Sequence, residues 1–199
     1  DVVALVEVDR DWLDRLALES RGYSHRVAAP RDAHFGLALY SRTPLQHACE
    51  VDLADMGMPA LVADLGVGPC AVRLLLVHTM PPKGPRRAAM RERQLSAAAD
   101  ILVDARGPVL LLGDLNVTPW SVAYRLLVRR TGLTDARAGH GLCPTWPALM
   151  PSYLRLPIDN LLLGKGLRAE TFELGPAYGS DHRPLTIELA CDIEAVPAG

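Results

Sequence analysis

The sequence is poor in aromatic residues, which make up 5 % of its 199 residues. Proteins that bind single-stranded nucleic acid stack bases on aromatic rings, so this composition disfavours such a role. No apolar run approaches the roughly 20 residues that a membrane helix requires. The formal net charge is −2 at pH 7, so the chain as a whole lacks the positive charge typical of nucleic-acid-binding proteins, although a local basic patch is compatible with it.

Familiar cofactor and metal motifs are also absent. No Gly-x-Gly-x-x-Gly or P-loop pattern follows any apolar run, which lowers the expectation of a nucleotide cofactor. The four cysteines, Cys49, Cys70, Cys143 and Cys191, include no Cys-x-x-Cys pair, and this argues against a zinc finger or a thioredoxin-type site. Two interpretations of the cysteines stay open, namely buried free thiols and a disulfide in an exported domain.

The composition that is present is that of a globular domain. Hydrophobic residues make up 49 % and charged residues 22 % of the chain, and we assign residues 1–199 to a single domain. Short apolar runs alternate with amphipathic helical segments and a loop over residues 138–153, which predicts a layered α/β or α+β fold. Strands are predicted at 2–6, 35–41, 45–51, 59–65, 70–77, 109–112, 158–163, 169–174 and 185–189, and helices from Asp9 or Asp11 to Gly22, over 86–103, and from Thr118 to 131.

Polar residues follow or interrupt these apolar runs. Strand ends in a packed sheet are rigid, so side chains placed there can be held around one cleft. Each residue alone has an ordinary explanation, such as a solvated carboxylate, a hydrogen-bonded edge histidine or a turn residue. Asp159 is the least ordinary, because a carboxylate flanked by aliphatic residues must be paired or functional. The residues in question are Glu7, His78, Asp114, Asn116, Asp159, Asn160, Ser180, Asp181 and His182.

In combination these residues form an ordered series of motifs. The series resembles the endonuclease/exonuclease/phosphatase superfamily, whose fold is shared by DNase I-like nucleases, inositol-phosphate phosphatases and sphingomyelinases, and it looks most like the bacterial branch. The resemblance implies an α+β fold, a DNase I-like four-layer α/β sandwich in which two packed, mostly antiparallel β-sheets are flanked by helices. The motifs are Ala-Leu-Val-Glu-Val (4–8), Leu-Val-His-Thr (76–79), Leu-Leu-Gly-Asp-Leu-Asn (111–116), Thr-Trp (145–146), Ile-Asp-Asn (158–160) and Gly-Ser-Asp-His-Arg-Pro (179–184).

The resemblance also implies catalytic roles for the matching residues. Asp114 and Asn116 correspond to the pair that positions or activates the attacking water and holds the phosphate. His182 corresponds to the catalytic histidine, and Asp159 to the carboxylate that orients it. His78 corresponds to a second histidine that contacts the phosphate. These five residues are the predicted catalytic group.

Metal and substrate contacts follow from the same resemblance. Glu7 corresponds to the metal-binding glutamate, an oxygen ligand suited to Mg²⁺ or Mn²⁺, and Asp181 to an acidic neighbour that assists the metal or the water. Trp146 is predicted to form a wall of the cleft. Asn160 is predicted to contact the substrate, at a position where many members of the superfamily have His.

Together these features predict a Mg²⁺-dependent hydrolase of phosphate esters, a phosphodiesterase, nuclease or phosphatase in which water attacks phosphorus with the help of an Asp-His pair. The expected substrate is a nucleic acid, a lipid or a small molecule, and we expect a monomer. The alternative is a catalytically impaired relative that binds a phosphorylated ligand or a partner, because superfamily members carry an additional first strand with a metal-binding Asn that does not precede Glu7 here. Similarity to bacterial members implies an extracytoplasmic domain of a membrane-tethered protein, or otherwise a cytoplasmic protein.

Overall fold

The computed structural model describes residues 1–32 and 34–192, and these residues form three sheets and three α-helices. Most strands coincide with apolar runs, since β-branched and leucine side chains pack well on a pleated surface. The strands are β1 (Val2–Val6), β2 (His25–Ala29), β3 (Leu37–Ser41), β4 (Gln46–Asp52), β5 (Pro59–Val67), β6 (Cys70–His78), β7 (Val109–Asp114), β8 (Thr134–Asp135), β9 (Asp159–Leu163), β10 (Leu167–Leu174) and β11 (Leu185–Cys191), and the helices are α1 (Arg10–Leu16), α2 (Pro85–Val103) and α3 (Val122–Thr131).

The largest sheet has six strands in the order β4-β5-β6-β7-β9-β8, and it is called the central sheet below. Strands β6 and β7 run parallel, with α2 as the crossover between them, whereas the other neighbours in this sheet are antiparallel. Two smaller sheets, β1-β3-β2 and β10-β11, are antiparallel throughout. The parallel pair matters for function, because it brings the carboxyl ends of β6 and β7 side by side.

Side chains that alternate along the central sheet face two different layers. On β5, Leu61 belongs to a core shared with both small sheets, whereas Ala60 belongs to a core shared with α2 and α3. On the outer side of β1-β3-β2, Leu13 of α1 packs in a cluster with Tyr40. The order of layers is therefore helices, central sheet, small sheets and helix. The expected four-layer α+β sandwich is confirmed, except that its second sheet layer is divided into two separate sheets.

The helices follow the amphipathic pattern of the sequence. Helix α2 spans 19 residues, begins with a proline in its first turn, and buries Leu95, Ala98 and Leu102 against the central sheet. Proline is tolerated there because the first backbone N–H groups of a helix have no intrahelical partner. In the part of the chain that the structure describes, none of the helices combines the length and the apolar composition needed to cross a membrane.

Three local predictions are corrected. Ser121, not Thr118, caps α3, because the Ser121 hydroxyl accepts a hydrogen bond from the backbone N–H of Tyr124 at 3.2 Å. Helix α1 ends earlier than predicted, at a left-handed Ala17 (φ 44°), and Gly22 instead closes a short 3-10 turn. Strands β2 and β8 were not predicted, since β2 begins with polar residues and β8 has only 2 residues.

The structure decides between the two interpretations of the cysteines for one pair. Cys70 at the start of β6 forms a disulfide with Cys191 at the end of β11, across a sequence separation of 121 residues. Cys49 is an exposed free thiol, and Cys143 is a partly buried one. The disulfide therefore ties the terminal two-stranded sheet to the central sheet.

Candidate active site

Three of the predicted catalytic residues are direct neighbours at one edge of the central sheet. His78 ends β6 and pairs in register with Asp114 at the end of β7. Asp114 in turn pairs with Asp159 at the start of β9. The Nε2 atom of His78 lies 3.5 Å from Oδ2 of Asp114. The strand order thus places these groups side by side in a way that the sequence motifs alone did not show.

Gly113 makes this close arrangement possible. A Cβ atom at this position would lie 1.9 Å from the carbonyl oxygen of Val77 on β6, a distance that no side chain tolerates. The residue also has φ +130°, a backbone conformation that favours glycine. Any larger residue would push β7 away from β6 and separate Asp114 from His78.

The turn after β7 fixes Asp114 and Asn116 relative to each other. Oδ1 of Asp114 accepts the backbone N–H of Asn116 at 2.8 Å, and Oδ2 accepts the Asn116 side-chain amide at 3.2 Å. The same amide donates to the carbonyl of Thr79 at 2.9 Å. Asn116 has φ 48°, a left-handed conformation that asparagine adopts more readily than most residues. Asp114 is 4 % exposed, so its carboxylate is held in one orientation at the base of the cleft.

Helix α2 supports the two loops that carry this site. The guanidinium of Arg91 donates to the carbonyl of Asn116 at 2.8 Å. One turn away, the buried side-chain oxygen of Gln94 accepts the backbone N–H of Met80 at 2.8 Å. The loop after β6 and the loop after β7 are therefore both hydrogen-bonded to the same helix, which fixes their positions relative to each other.

His182 reaches the sheet edge from the loop before β11. Its Nδ1 atom lies 2.7 Å from Oδ2 of Asp159, and its Nε2 atom lies 3.9 Å from Oδ2 of Asp114. Burial by itself would lower the pKa of His182, but the hydrogen bond to Asp159 and the negative charges of Asp159 and Asp114 outweigh burial and raise the pKa to about 9. His182 is therefore a cation at pH 7, placed to face an anionic substrate.

Replacing Asp159 by Asn is expected to lower the pKa of His182 well below its wild-type value of about 9. The reason is that the variant removes the strongest group that stabilises the charged imidazole and leaves the opposing effect of burial. An NMR titration of the His182 ring in EDTA measures this pKa. A His182 pKa that stays near 9 in the variant would contradict the assignment.

Glu7 and the second histidine lie on the other side of Asp114. Oε1 of Glu7 is 3.9 Å from Nε2 of His78, and the Glu7 side chain is 47 % exposed. Glu7 has φ 58°, an uncommon backbone conformation for this residue type, directly after β1. Burial lowers the pKa of His78 to about 4, so this imidazole is neutral at pH 7. His78 and His182 thus differ in charge although both face the same carboxylate.

The donor set fits a divalent metal ion. Asp114, Asp159 and His182 each offer one ligand atom, and these atoms lie within 4.8 Å of one another. Burial and the neighbouring charges of Asp159 and Glu7 raise the pKa of Asp114 well above its usual range. Carboxylates that repel one another in a partly buried cleft carry the surplus negative charge that a cation neutralises, and hard oxygen atoms are the ligands that Mg²⁺ prefers. Asp159 already bonds His182, and Glu7 is the more exposed carboxylate whose charge acts on Asp114.

Trp146 and Asp181 form the rim of the cleft. The indole N–H of Trp146 donates to Oδ2 of Asp181 at 3.1 Å, and the indole ring lies 6.4 Å from the ring of His182. The backbone N–H of Ala148 donates to the carbonyl of Asp181 at 2.7 Å. Trp146 therefore lies where a wall of the cleft was predicted. Asp181 was predicted to assist the metal or the water; its carboxylate bonds the tryptophan, and like Glu7 it lies outside the group of three possible metal ligands found among the described residues.

Asn160 does not line the cleft, which corrects its predicted role in substrate contact. It is 3 % exposed, and its amide donates to the carbonyls of Ile158 and Val117. Its side-chain oxygen accepts a hydrogen bond from Arg137. Successive residues of a strand point to opposite faces, so Asp159 and Asn160 point in different directions. Arg137 was not predicted, because a lone arginine in a loop gives no signal of burial.

The comparisons with known proteins agree with this geometry. A family model described as the Endonuclease/Exonuclease/phosphatase family matches residues 1–182. The chain belongs to this family. A comparison with curated proteins finds no match. The family is named for the cleavage of phosphate esters. The matched range contains all nine predicted site residues.

Solved structures show the same fold. An endonuclease/exonuclease/phosphatase from Beutenbergia cavernae DSM 12333 matches with a TM-score of 0.74 and 21 % identity, over 96 % of this chain and 62 % of that one. The chain therefore spans less than two thirds of the length of that protein. The 3′ phosphatase NExo from Neisseria, bound to a product DNA hairpin, matches with a TM-score of 0.74 and 21 % identity, over 94 % and 88 % of the two chains. TDP2 from D. rerio, complexed with a single-strand DNA product, matches with a TM-score of 0.74 and 16 % identity, over 95 % and 85 %.

Proposed function

We propose that this family member hydrolyses phosphate esters with the help of Mg²⁺ or Mn²⁺ at the cleft between His78, Asp114 and His182. The supporting observation is the convergence of two histidines and a cluster of carboxylates at one edge of the central sheet. A phosphate ester is anionic and resists attack, so its hydrolysis needs a positive group, an oriented water and a means of moving a proton. The cleft offers all three.

Asp114 and Asn116 are placed to orient the attacking water. The turn holds the Asp114 carboxylate in one position, and burial together with the charge of Asp159 raises its pKa, so it is a stronger base than an ordinary aspartate. Asp114 accepts a hydrogen bond from a water molecule, and a carboxylate of raised pKa accepts a proton more readily as the water attacks. Asn116 holds this carboxylate through its side-chain amide.

The two histidines are suited to different tasks. His182 is held as a cation by Asp159, so it stabilises negative charge on a phosphate oxygen. His78 is neutral and donates or accepts a hydrogen bond without carrying charge. Glu7, beside Asp114, would hold the metal ion, which would supply charge neutralisation at the phosphate and at the leaving oxygen.

Two observations favour different classes of substrate. Two of the three neighbours described above were solved with DNA products, and this favours a nucleic-acid phosphate. The loop beside Trp146 favours a lipid phosphate as the second candidate, because it exposes Leu149 by 88 % and Tyr153 by 82 %. The salt dependence of binding separates them, since contacts to a DNA backbone weaken steeply with added salt.

Hydrolysis of bis-p-nitrophenyl phosphate tests the proposed function. We expect release of p-nitrophenol with Mg²⁺ or Mn²⁺ and its loss with EDTA, because the carboxylate cluster needs a cation before it can face an anionic ester. A folded protein that shows no turnover with either metal would contradict hydrolysis. That result would favour the alternative, in which the domain binds a phosphorylated ligand or a partner.

We also propose that the domain works as a monomer outside the reducing cytoplasm. The disulfide between Cys70 and Cys191 supports this location, because disulfides persist in oxidising compartments. The location agrees with the expectation of a domain tethered to a bacterial membrane.

A further inference from the structure

Arg137 is a buried cation beneath the cleft. Its side chain is 4 % exposed and forms a fork on Asp135, with Nε 3.1 Å from Oδ1 and Nη2 3.0 Å from Oδ2. It also donates to the backbone carbonyl of Pro157 at 3.3 Å and to the side-chain oxygen of Asn160. These two acceptors lie on either side of Asp159 in the chain. Arg137 therefore forms hydrogen bonds to both ends of the segment 157–160 and does not line the cleft.

Segment 157–160 is also hydrogen-bonded to the turn that follows Asp114. The backbone N–H of Leu115 donates to the carbonyl of Ile158 at 3.1 Å. The amide of Asn160 donates to Ile158 at 2.5 Å and to the carbonyl of Val117 at 3.3 Å. Arg137 and Asn160 together thus link the start of β9 to the residues on both sides of Asn116. A shift of this segment would move Asp159 relative to His182 and to Asp114.

The chemistry of the arginine suits positioning better than stability. A buried ion pair is often no more stabilising than apolar side chains of similar size, because removing two charges from water costs much of what their attraction gains. A guanidinium, however, donates along fixed directions in one plane and fixes several acceptors at once. The hydroxyl of Tyr124 donates a hydrogen bond to Asp135 at 2.5 Å, so the carboxylate that pairs with Arg137 is itself fixed in position.

We propose that Arg137 is a positioning residue that holds segment 157–160 so that Asp159 meets His182 in the geometry needed for turnover. The inference rests on the proposed phosphoesterase function, and it adds a residue that lies outside the predicted site. Arg137 acts through Asn160 and the backbone, not by contact with substrate or metal.

The kinetic test compares Arg137→Met with Arg73→Met. Arg73 forms the same kind of fork, on Asp64, at 2.8 and 2.9 Å, but it lies on β6 opposite Val109, at the far end of the central sheet from the cleft. We expect Arg137→Met to lower kcat for bis-p-nitrophenyl phosphate by about 10- to 100-fold, as for other residues that orient catalytic groups, with KM nearly unchanged. Arg73→Met is expected to keep kcat, and Arg137→Lys to recover part of it, because lysine keeps the charge and loses the fork.

A second readout does not depend on activity. In EDTA, the proton on Nδ1 of His182 that bonds Asp159 is expected to give an NMR signal in the wild type and in Arg73→Met. This signal is expected to be absent from Arg137→Met. If Arg137→Met does not fold, the signal is expected to be absent from Arg137→Lys. Wild type that shows the signal without turnover would refute the proposed function and leave the positioning role standing. Arg137 variants that keep both the signal and the kcat of Arg73→Met would overturn the positioning role.

Discussion

Asp114→Asn is expected to lower the turnover of bis-p-nitrophenyl phosphate by about 10²- to 10⁴-fold, the range that a general base contributes. Asp114 lies between the two histidines, 3.5 Å from Nε2 of His78 and 3.9 Å from Nε2 of His182. The variant keeps the shape of the side chain and the oxygen that accepts the backbone N–H of Asn116, but it removes the negative charge, the basicity and the acceptor for the Asn116 side-chain amide. Steady-state kinetics at saturating metal measures the loss.

The matched control for this prediction is Asp64→Asn. Asp64 also pairs with a cation on the central sheet, through Arg73, but it lies on β5 away from the cleft, so turnover should be retained. Thermal unfolding of both variants shows whether the domain stays folded. Turnover by Asp114→Asn at the wild-type level would refute the role assigned to this carboxylate.

Loss of the disulfide is expected to destabilise the domain by about 4–5 kcal/mol, on the chain-entropy account of long closed loops. The bond between Cys70 and Cys191 closes a loop over a separation of 121 residues, so breaking it gives the unfolded chain many more conformations. The double variant Cys70→Ser/Cys191→Ser should show this loss in urea unfolding. The wild type in a strong reductant should show the same loss.

Cys49→Ser is the control for the disulfide. Cys49 is an exposed free thiol, and substitutions at such surface positions usually change stability by less than about 0.5 kcal/mol. The domain without the disulfide is expected to retain its catalytic geometry at low temperature, because the cleft lies at the opposite end of β6 from Cys70. Equal unfolding midpoints for the wild type and the double variant would show that this bond does not stabilise the fold.

Much of the cleft could be predicted because its residues adjoin strands rich in buried aliphatic side chains. His78, Asp114 and Asp159 each adjoin a leucine-rich run, and such runs identify buried strands without knowledge of their neighbours. The adjacency of the three strands could not be derived from composition, because it depends on the parallel pairing of β6 with β7 and the antiparallel return of β9. The resemblance to the family supplied that step.

Other features lay beyond prediction for identifiable reasons. Arg137 stands between two alanines in a loop, and its burial arises only when β9 brings Asn160 beside it. The disulfide could not be assigned, because four cysteines allow three complete pairings and the true partner depends on the register of β10 and β11. The direction in which Asn160 points depends on the one-residue alternation of β9, which the motif does not reveal.

The most direct measurement compares wild type and His182→Ala for hydrolysis of bis-p-nitrophenyl phosphate, each with Mg²⁺ and with EDTA. It tests whether metal-dependent hydrolysis takes place at this cleft. The account predicts turnover only by the wild type with metal, since the cationic imidazole and the metal ion both face the ester. Equal turnover by His182→Ala, or turnover by the wild type that survives EDTA, would contradict it.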